Sequence, residues 1–286
     1  MARMKVFALM VLSLLALAGC SAFFGFNAFS TLDTPPALDA SKYEVAGGLV
    51  ALQTDLSSAT VIAQLIADPT ATAAIEKYLH DTYLTSAGGI TTPDQQQAAT
   101  LYCTLQLQTT QAAALVNNVV SALVGGTQTT SGIQDLLKSL LPPAAFASQQ
   151  VFSDMVDALN ASSAVYAGMG AGIVDVNGNG KIDPGEGVAP GTNVGEIGQN
   201  AIVAYTLAVV WSQMTSVAPG QEDTQLFLLA TDPTSASGAA QALAMPDPQN
   251  AASSDNSASA ATYITTNLAG IQKLLDCAGL TLPASL

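Results

Sequence analysis

The chain has 286 residues, 49% of them hydrophobic and only 10% charged, with a formal charge of −14. Ordinary soluble proteins carry about 25% charged residues, so Ser, Thr, Gln and Asn must supply much of the polar surface here. Seven basic residues against 21 acidic ones exclude a nucleic-acid ligand, because neutralising phosphates is the main source of that affinity. Two accounts of the low charge stay open. One is adaptation to an acidic exterior, where excess cationic charge repels itself; the other is compositional bias.

In chain order, Arg3 and Lys5 precede an apolar run from Val6 to Ala18. The run is shorter than the roughly 20 residues a helix needs to cross a bilayer. With small residues at its end, it reads as a signal peptide over residues 1–19. Leu17-Ala18-Gly19-Cys20 resembles the lipobox of bacterial lipoproteins. That resemblance implies cleavage before Cys20 and a thioether-linked diacylglycerol on its sulfur, usually with a third acyl chain on the new amino terminus. Two or more chains anchor stably, which places the protein in the cell envelope, held on a membrane through Cys20. Ser21 stands where the family's inner-membrane retention signal has Asp, so a cell with two membranes would carry it on the outer one. Residues 20–40 then read as a tether, since Pro35-Pro36 bars helix and strand. Phe23, Phe24, Phe26 and Phe29 are half of the chain's eight phenylalanines; they dip into the membrane interface or pack back onto the body.

Residues 41–286 read as a single helical domain, with a possible division at Pro142-Pro143, because apolar residues recur at three and four rather than two. Val45, Leu49, Leu52 and Leu56 form one stripe; Val61, Ile62, Leu65 and Ile66 form another, stopped by Asp68-Pro69. A third helix runs from about Pro69 to Thr85. Thr92-Pro93-Asp94 supplies an N-cap with proline at N1 and opens a long helix. Leu101, Leu105, Ala112, Val116, Val119 and Leu123 share one of its faces, while Cys103 lies in the row of Ala99 and Leu107 on another. Ile133, Leu136, Leu137 and Leu140 mark a short helix. Phe152, Met155, Val156, Leu159, Val165 and Met169 mark a long one, and a further helix spans Ile197 to Met214. Weak helix follows at Gly238 to Pro248. The last helix carries the seam Ala261, Ile264, Leu268, Ile271 and Leu275, which must pack on a neighbour. The expected fold is therefore all-α, a bundle of roughly eight helices.

One segment carries specific chemistry: Asp175-Val176-Asn177-Gly178-Asn179-Gly180-Lys181-Ile182-Asp183-Pro184-Gly185-Glu186. It resembles the EF-hand calcium loop, D-x-[DN]-x-[DN]-G-x₅-E, at every specified position. A hard divalent cation takes six to eight oxygens at about 2.3 to 2.6 Å. The resemblance implies side-chain oxygens from Asp175, Asn177 and Asn179, the backbone carbonyl of Lys181, Asp183 through a water, and both carboxylate oxygens of Glu186. Gly180 permits the sharp turn, and Ile182 fixes the loop to the core. Two neutral ligands predict a weak site, around 10⁻⁴ to 10⁻³ M. EF-hand sensors pair two loops, each followed directly by a helix. Here there is one, with glycines and Pro190 delaying the exit helix to about Asn193, so the expected role is a structural staple between two long helices.

Cys103 and Cys277 remain as an even pair in an exported chain, which predicts one disulfide. Catalytic motifs are sparse. His80 is the only histidine and sits on a charged helix surface among Glu76, Lys77 and Asp81. Gly168-Met169-Gly170-Ala171-Gly172 has Ile173 where a dinucleotide fingerprint needs glycine; the glycines let helices approach closely or loosen the chain entering the loop. Gly180-Lys181 lacks the Ser or Thr of a phosphate loop. Trp211 is expected in the core. The expected function is a non-catalytic binding or scaffolding module stabilised by calcium, whose partner is an envelope protein or a second copy. Two alternatives are glycan hydrolysis by a carboxylate pair and carriage of an apolar ligand between helices.

Overall fold

The computed structural model describes residues 38–85, 89–110, 112, 115, 141–189 and 192–282. The leader, Cys20, the phenylalanines of the tether, the continuation of the long helix through Val116, Val119 and Leu123, and the short helix expected at 133–140 lie outside them. Among the described residues there are nine α-helices and no strand, as the apolar periodicity requires. They are α1 Gly48–Leu56, α2 Ala59–Ala67, α3 Pro69–Leu79, α4 Pro93–Thr109, α5 Gln149–Gly172, α6 Val194–Thr215, α7 Glu222–Thr231, α8 Gly238–Gln241 and α9 Ala258–Ala278.

Boundaries follow local chemistry. Asp68 ends α2 and caps α3 by accepting from the Ala71 N–H at 3.0 Å. A π-helical turn, His80–Leu84, extends α3 to the end expected near Thr85. Thr92 and Gln95 form a reciprocal capping box at α4. Gly279, at φ +66°, closes α9, and the Leu280 N–H returns to the Leu275 carbonyl at 2.8 Å. The helix α7 was not apparent from apolar recurrence; Glu222 and Asp223 in its first turn were its local signal. Val45 falls before α1 and is exposed rather than part of its stripe, and Ile66 is exposed as well.

Two apolar cores share α4. Leu101 and Leu105 point into a smaller core with Leu52, Leu65, Ile75 and Leu79. Ala99, Cys103 and Leu107 point into a larger one built on α5, α6 and α9. In that larger core every residue of α6 from 201 to 210 is buried. The helices α5 and α9 run parallel: Tyr263 donates its hydroxyl to Ser163 at 2.7 Å near one end, and Gly170 meets Gly270 near the other. The α6 helix runs against both.

At the crossing of α5 and α9 the two backbones touch. A Cβ on Gly170 would lie 1.8 Å from the Gly270 carbonyl oxygen, and one on Gly270 would lie 2.1 Å from the Ala167 oxygen. Gly172 makes a similar approach to Ile90 on the segment before α4, 2.2 Å from its oxygen. The glycine run is therefore a close-packing surface. Gly168 differs, since its Cβ would meet only a side-chain methyl at 3.5 Å.

Two carboxylates set opposite pH dependences. Burial pushes Glu76, beside Tyr102 of α4, up to about 7. Burial also acts to raise Asp55, but hydrogen bonds from Lys42 and Tyr43 outweigh it and hold the carboxyl below its ordinary value. A raised folded pKa gives stability that is complete below the unfolded value of 4.5 and is lost as pH rises through 7. The Asp55 contribution is present above its unfolded pKa and lost as pH falls through the folded one.

Two predictions follow from packing and burial. Gly270→Ala lowers the thermal midpoint by several degrees, since overpacking costs about 1 to 3 kcal/mol and each kcal/mol shifts a domain of this size by about 2 to 4 °C. Gly168→Ala leaves it unchanged or slightly higher, and equal losses in both variants would remove the close-contact argument. Glu76→Gln raises the midpoint at pH 8 by a few degrees and has no effect at pH 4. A midpoint unaltered at pH 8 would show that water reaches the carboxylate freely.

Candidate metal centre

The loop leaves α5 through Ile173, which is fully buried, and curls back on itself before α6. Gly178 and Gly180 hold φ of +72° and +82°, a region that favours glycine, so the chain reverses tightly enough for its polar side chains to converge. The Asp175 carboxylate accepts from the Gly178 N–H at 2.6 Å and, through its other oxygen, from the Gly180 N–H at 2.6 Å. Glu186 reaches across the loop: Oε1 accepts from the N–H groups of Val176 and Asn177 at 2.8 and 2.9 Å, and Oε2 from that of Asp183 at 2.9 Å. Asn177 and Asn179 each donate Nδ2 to Asp183 Oδ2 at 2.8 Å. Their Oδ1 atoms accept from the backbone two residues on.

All five side chains expected to supply oxygens thus belong to one connected network, with Glu186 spanning its two arms. Lys181 is exposed and enters only through its N–H. Ile182 is half-buried and packs on the larger core. Among the described residues no three His, Cys, Asp or Glu side chains are arranged to hold a metal by themselves, so any cation here needs the asparagines and a carbonyl as well. The donor set is hard oxygen throughout, which suits calcium. For the two amides to join it they must turn over about their broad terminal torsion, exchanging Nδ2 for Oδ1.

The loop is tied to three helices. Gly185 donates its N–H to the Cys277 carbonyl at 2.8 Å, and the Cys277 thiol donates to the Glu186 carbonyl at 3.3 Å. Lys273 reaches the Ile173 carbonyl at 3.4 Å. From α4, Gln96 uses both ends of its amide: Nε2 donates to the Gly187 carbonyl at 2.9 Å, and Oε1 accepts from the Ala189 N–H at 2.7 Å. Gln96 is 3% exposed. In Gln95-Gln96-Gln97 it reads as one of three surface residues, and only its helical phase, three residues before buried Ala99, hinted otherwise. Gln213, wholly buried on α6, acts alike. It accepts from the Ser257 N–H at 2.6 Å and donates to the Asp255 carbonyl at 2.8 Å.

The expected Cys103–Cys277 disulfide is not formed: both thiols are free and buried. Cys103 packs against the middle of α5, where its thiol lies 3.7 Å from the Ser162 carbonyl. Cys277 sits beyond the other end of α5, against the loop. Eleven residues of α5 between those levels are on the order of 15 Å, whereas a bridge needs Cα atoms within about 7 Å. Burial pushes Cys103 up to about 12 and raises Cys277 too, so neither is a ready thiolate. Trp211 packs on the larger core but is only half-buried; its indole N–H donates to Asp223 at 2.7 Å. His80 contacts Asp81 at 3.1 Å.

Comparison with known families, curated proteins and solved structures finds no match to this chain.

Replacing Gln96 by Leu keeps the volume but strands the Gly187 carbonyl and the Ala189 N–H. The expected loss is about 1 to 3 kcal/mol, with faster amide exchange at Ala189. Exchange there as slow as in the native protein would deny the clamp its role.

Proposed function

We propose that this protein is a lipid-anchored envelope lipoprotein whose helical body is a non-catalytic binding or scaffolding module, stapled by calcium. The observation that carries the reading is the fastening of one loop to three helices at once: α5 by continuity, α9 through Cys277, and α4 through Gln96. A loop so held suits a staple rather than a hinge. Asp175, Asn177, Asn179, Asp183 and Glu186, with the Lys181 carbonyl, would hold the ion. Bound there, it supplies positive charge that gathers the carboxylates and locks the ends of the helices.

The interior supports binding at a surface over carriage of an apolar ligand. Among the described residues an apolar cavity lined by Phe152, Leu159, Val210 and Trp211 measures about 20 Å³. That is room for about one water, far below the roughly 300 Å³ at which ligand pockets begin. The acidic body suits an envelope protein or a second copy as partner. Among the described residues no single helix is long and apolar enough to cross a membrane; in this reading attachment is through lipid on Cys20.

The test is thermal unfolding with millimolar calcium and with chelator. An ion that binds only the native state raises the midpoint, and here it also slows alkylation of Cys277 while leaving Cys103 unaffected. Identical midpoints in the two buffers sink the staple. For the anchor, Cys20→Ala precursor accumulates uncleaved and without lipid label; normal processing of that variant refutes lipidation.

A further inference from the structure

We propose that the groove between α4 and α6 binds a neutral oligosaccharide. The groove encloses about 480 Å³, within the range of small-molecule sites. Tyr166 of α5, itself buried, lines its floor, and its walls carry Gln97, Thr104 and Gln108 from α4 and Glu196 and Asn200 from α6.

The amides here are used differently from those that fasten the loops. Gln96, Gln213 and Asn256 are all spent on backbone groups of loops. In the groove, Gln97 bonds only another side-chain amide, that of Gln53, at 3.1 Å. Asn200 hydrogen-bonds the Tyr166 hydroxyl. The Gln108 amide oxygen is buried without any hydrogen-bond partner, a state that costs about 1 to 3 kcal/mol and calls for a reason. These side chains hold no loop in place, and each presents donor and acceptor together, as sugar hydroxyls require.

Charge narrows the ligand further. Among the described residues no lysine lines the groove, and the one carboxylate that does, Glu196, already accepts from Asn193 at 2.9 Å, so these residues offer an anionic ligand no counter-charge. Glycoside hydrolysis takes two carboxyl groups, and the described residues lining the groove supply one; what is proposed is binding. The inference goes beyond the anchor and the calcium staple and rests on neither.

The test is calorimetric titration of the full chain, purified in detergent, with cellotetraose, chitotetraose and maltotetraose, and with tetragalacturonate as the anionic counterpart. At least one neutral tetrasaccharide is expected to bind with a Kd below about 1 mM, the anionic one at least tenfold more weakly. Gln108→Leu and Thr104→Val each weaken binding about tenfold while the thermal midpoint holds; Gln97→Glu, at a half-exposed position, takes their place if either fails to fold. The proposal is overturned if no neutral tetrasaccharide binds at about 10 mM, where a millimolar Kd saturates. It is overturned equally if binding survives the substitutions unchanged or favours the anion.

Discussion

The body depends on the contact of two helix backbones at Gly170 and Gly270. With no side chain between them, α5 and α9 approach until a carbonyl oxygen of one lies where a Cβ of the other would be. That approach sets the crossing of the two parallel helices and leaves α6 to fill the space they share, which is why every residue from 201 to 210 of α6 is buried. It also brings the C-terminal ends of α5 and α9 together, so that the polar loop leaving one can be fastened to the last turn of the other.

Scarcity of charge shapes the rest. Among the described residues the ion pairs are Lys42–Asp55 and Lys77–Asp81, both on the side of the smaller core. The larger core is instead closed by neutral amides, Gln96 and Gln213, each satisfying two backbone groups of a loop. A buried amide that is fully bonded has no ionised form to desolvate, unlike a buried ion pair, and it does not titrate. These amides add no titrating group to the larger core, whereas beside the smaller one Asp55 and Glu76 pull in opposite directions. This arrangement fits an exterior of variable acidity and equally a genome poor in charged codons.

The polar loop reads the same way at two scales. Locally, Asp175, Asp183 and Glu186 are gathered by backbone N–H groups and by the amides of Asn177 and Asn179, which neutralise carboxylates that would otherwise repel. Globally, the loop joins helix ends that have no other covalent neighbour in common. A cation replacing those donors would strengthen both levels at once.

Much was legible along the chain because it is written in local chemistry. Periodicity at three and four specified helices, Thr92 with Gln95 marked the start of α4, and the spacing of Asp, Asn, Gly and Glu marked the loop. The row of Ala99, Cys103 and Leu107 opposite Leu101 and Leu105 announced a helix buried on two faces. The pairing of cysteines was not legible: two thiols in a chain expected to be exported predict a bridge, yet packing sets them at different levels of α5. Nor was Gln96, since a glutamine in a polar run carries no mark of the carbonyl it meets some ninety residues later. Local order follows from dihedral preference and hydrophobic spacing, which neighbours in sequence share; a partner across the fold is chosen by how helices pack, and that depends on all of them together.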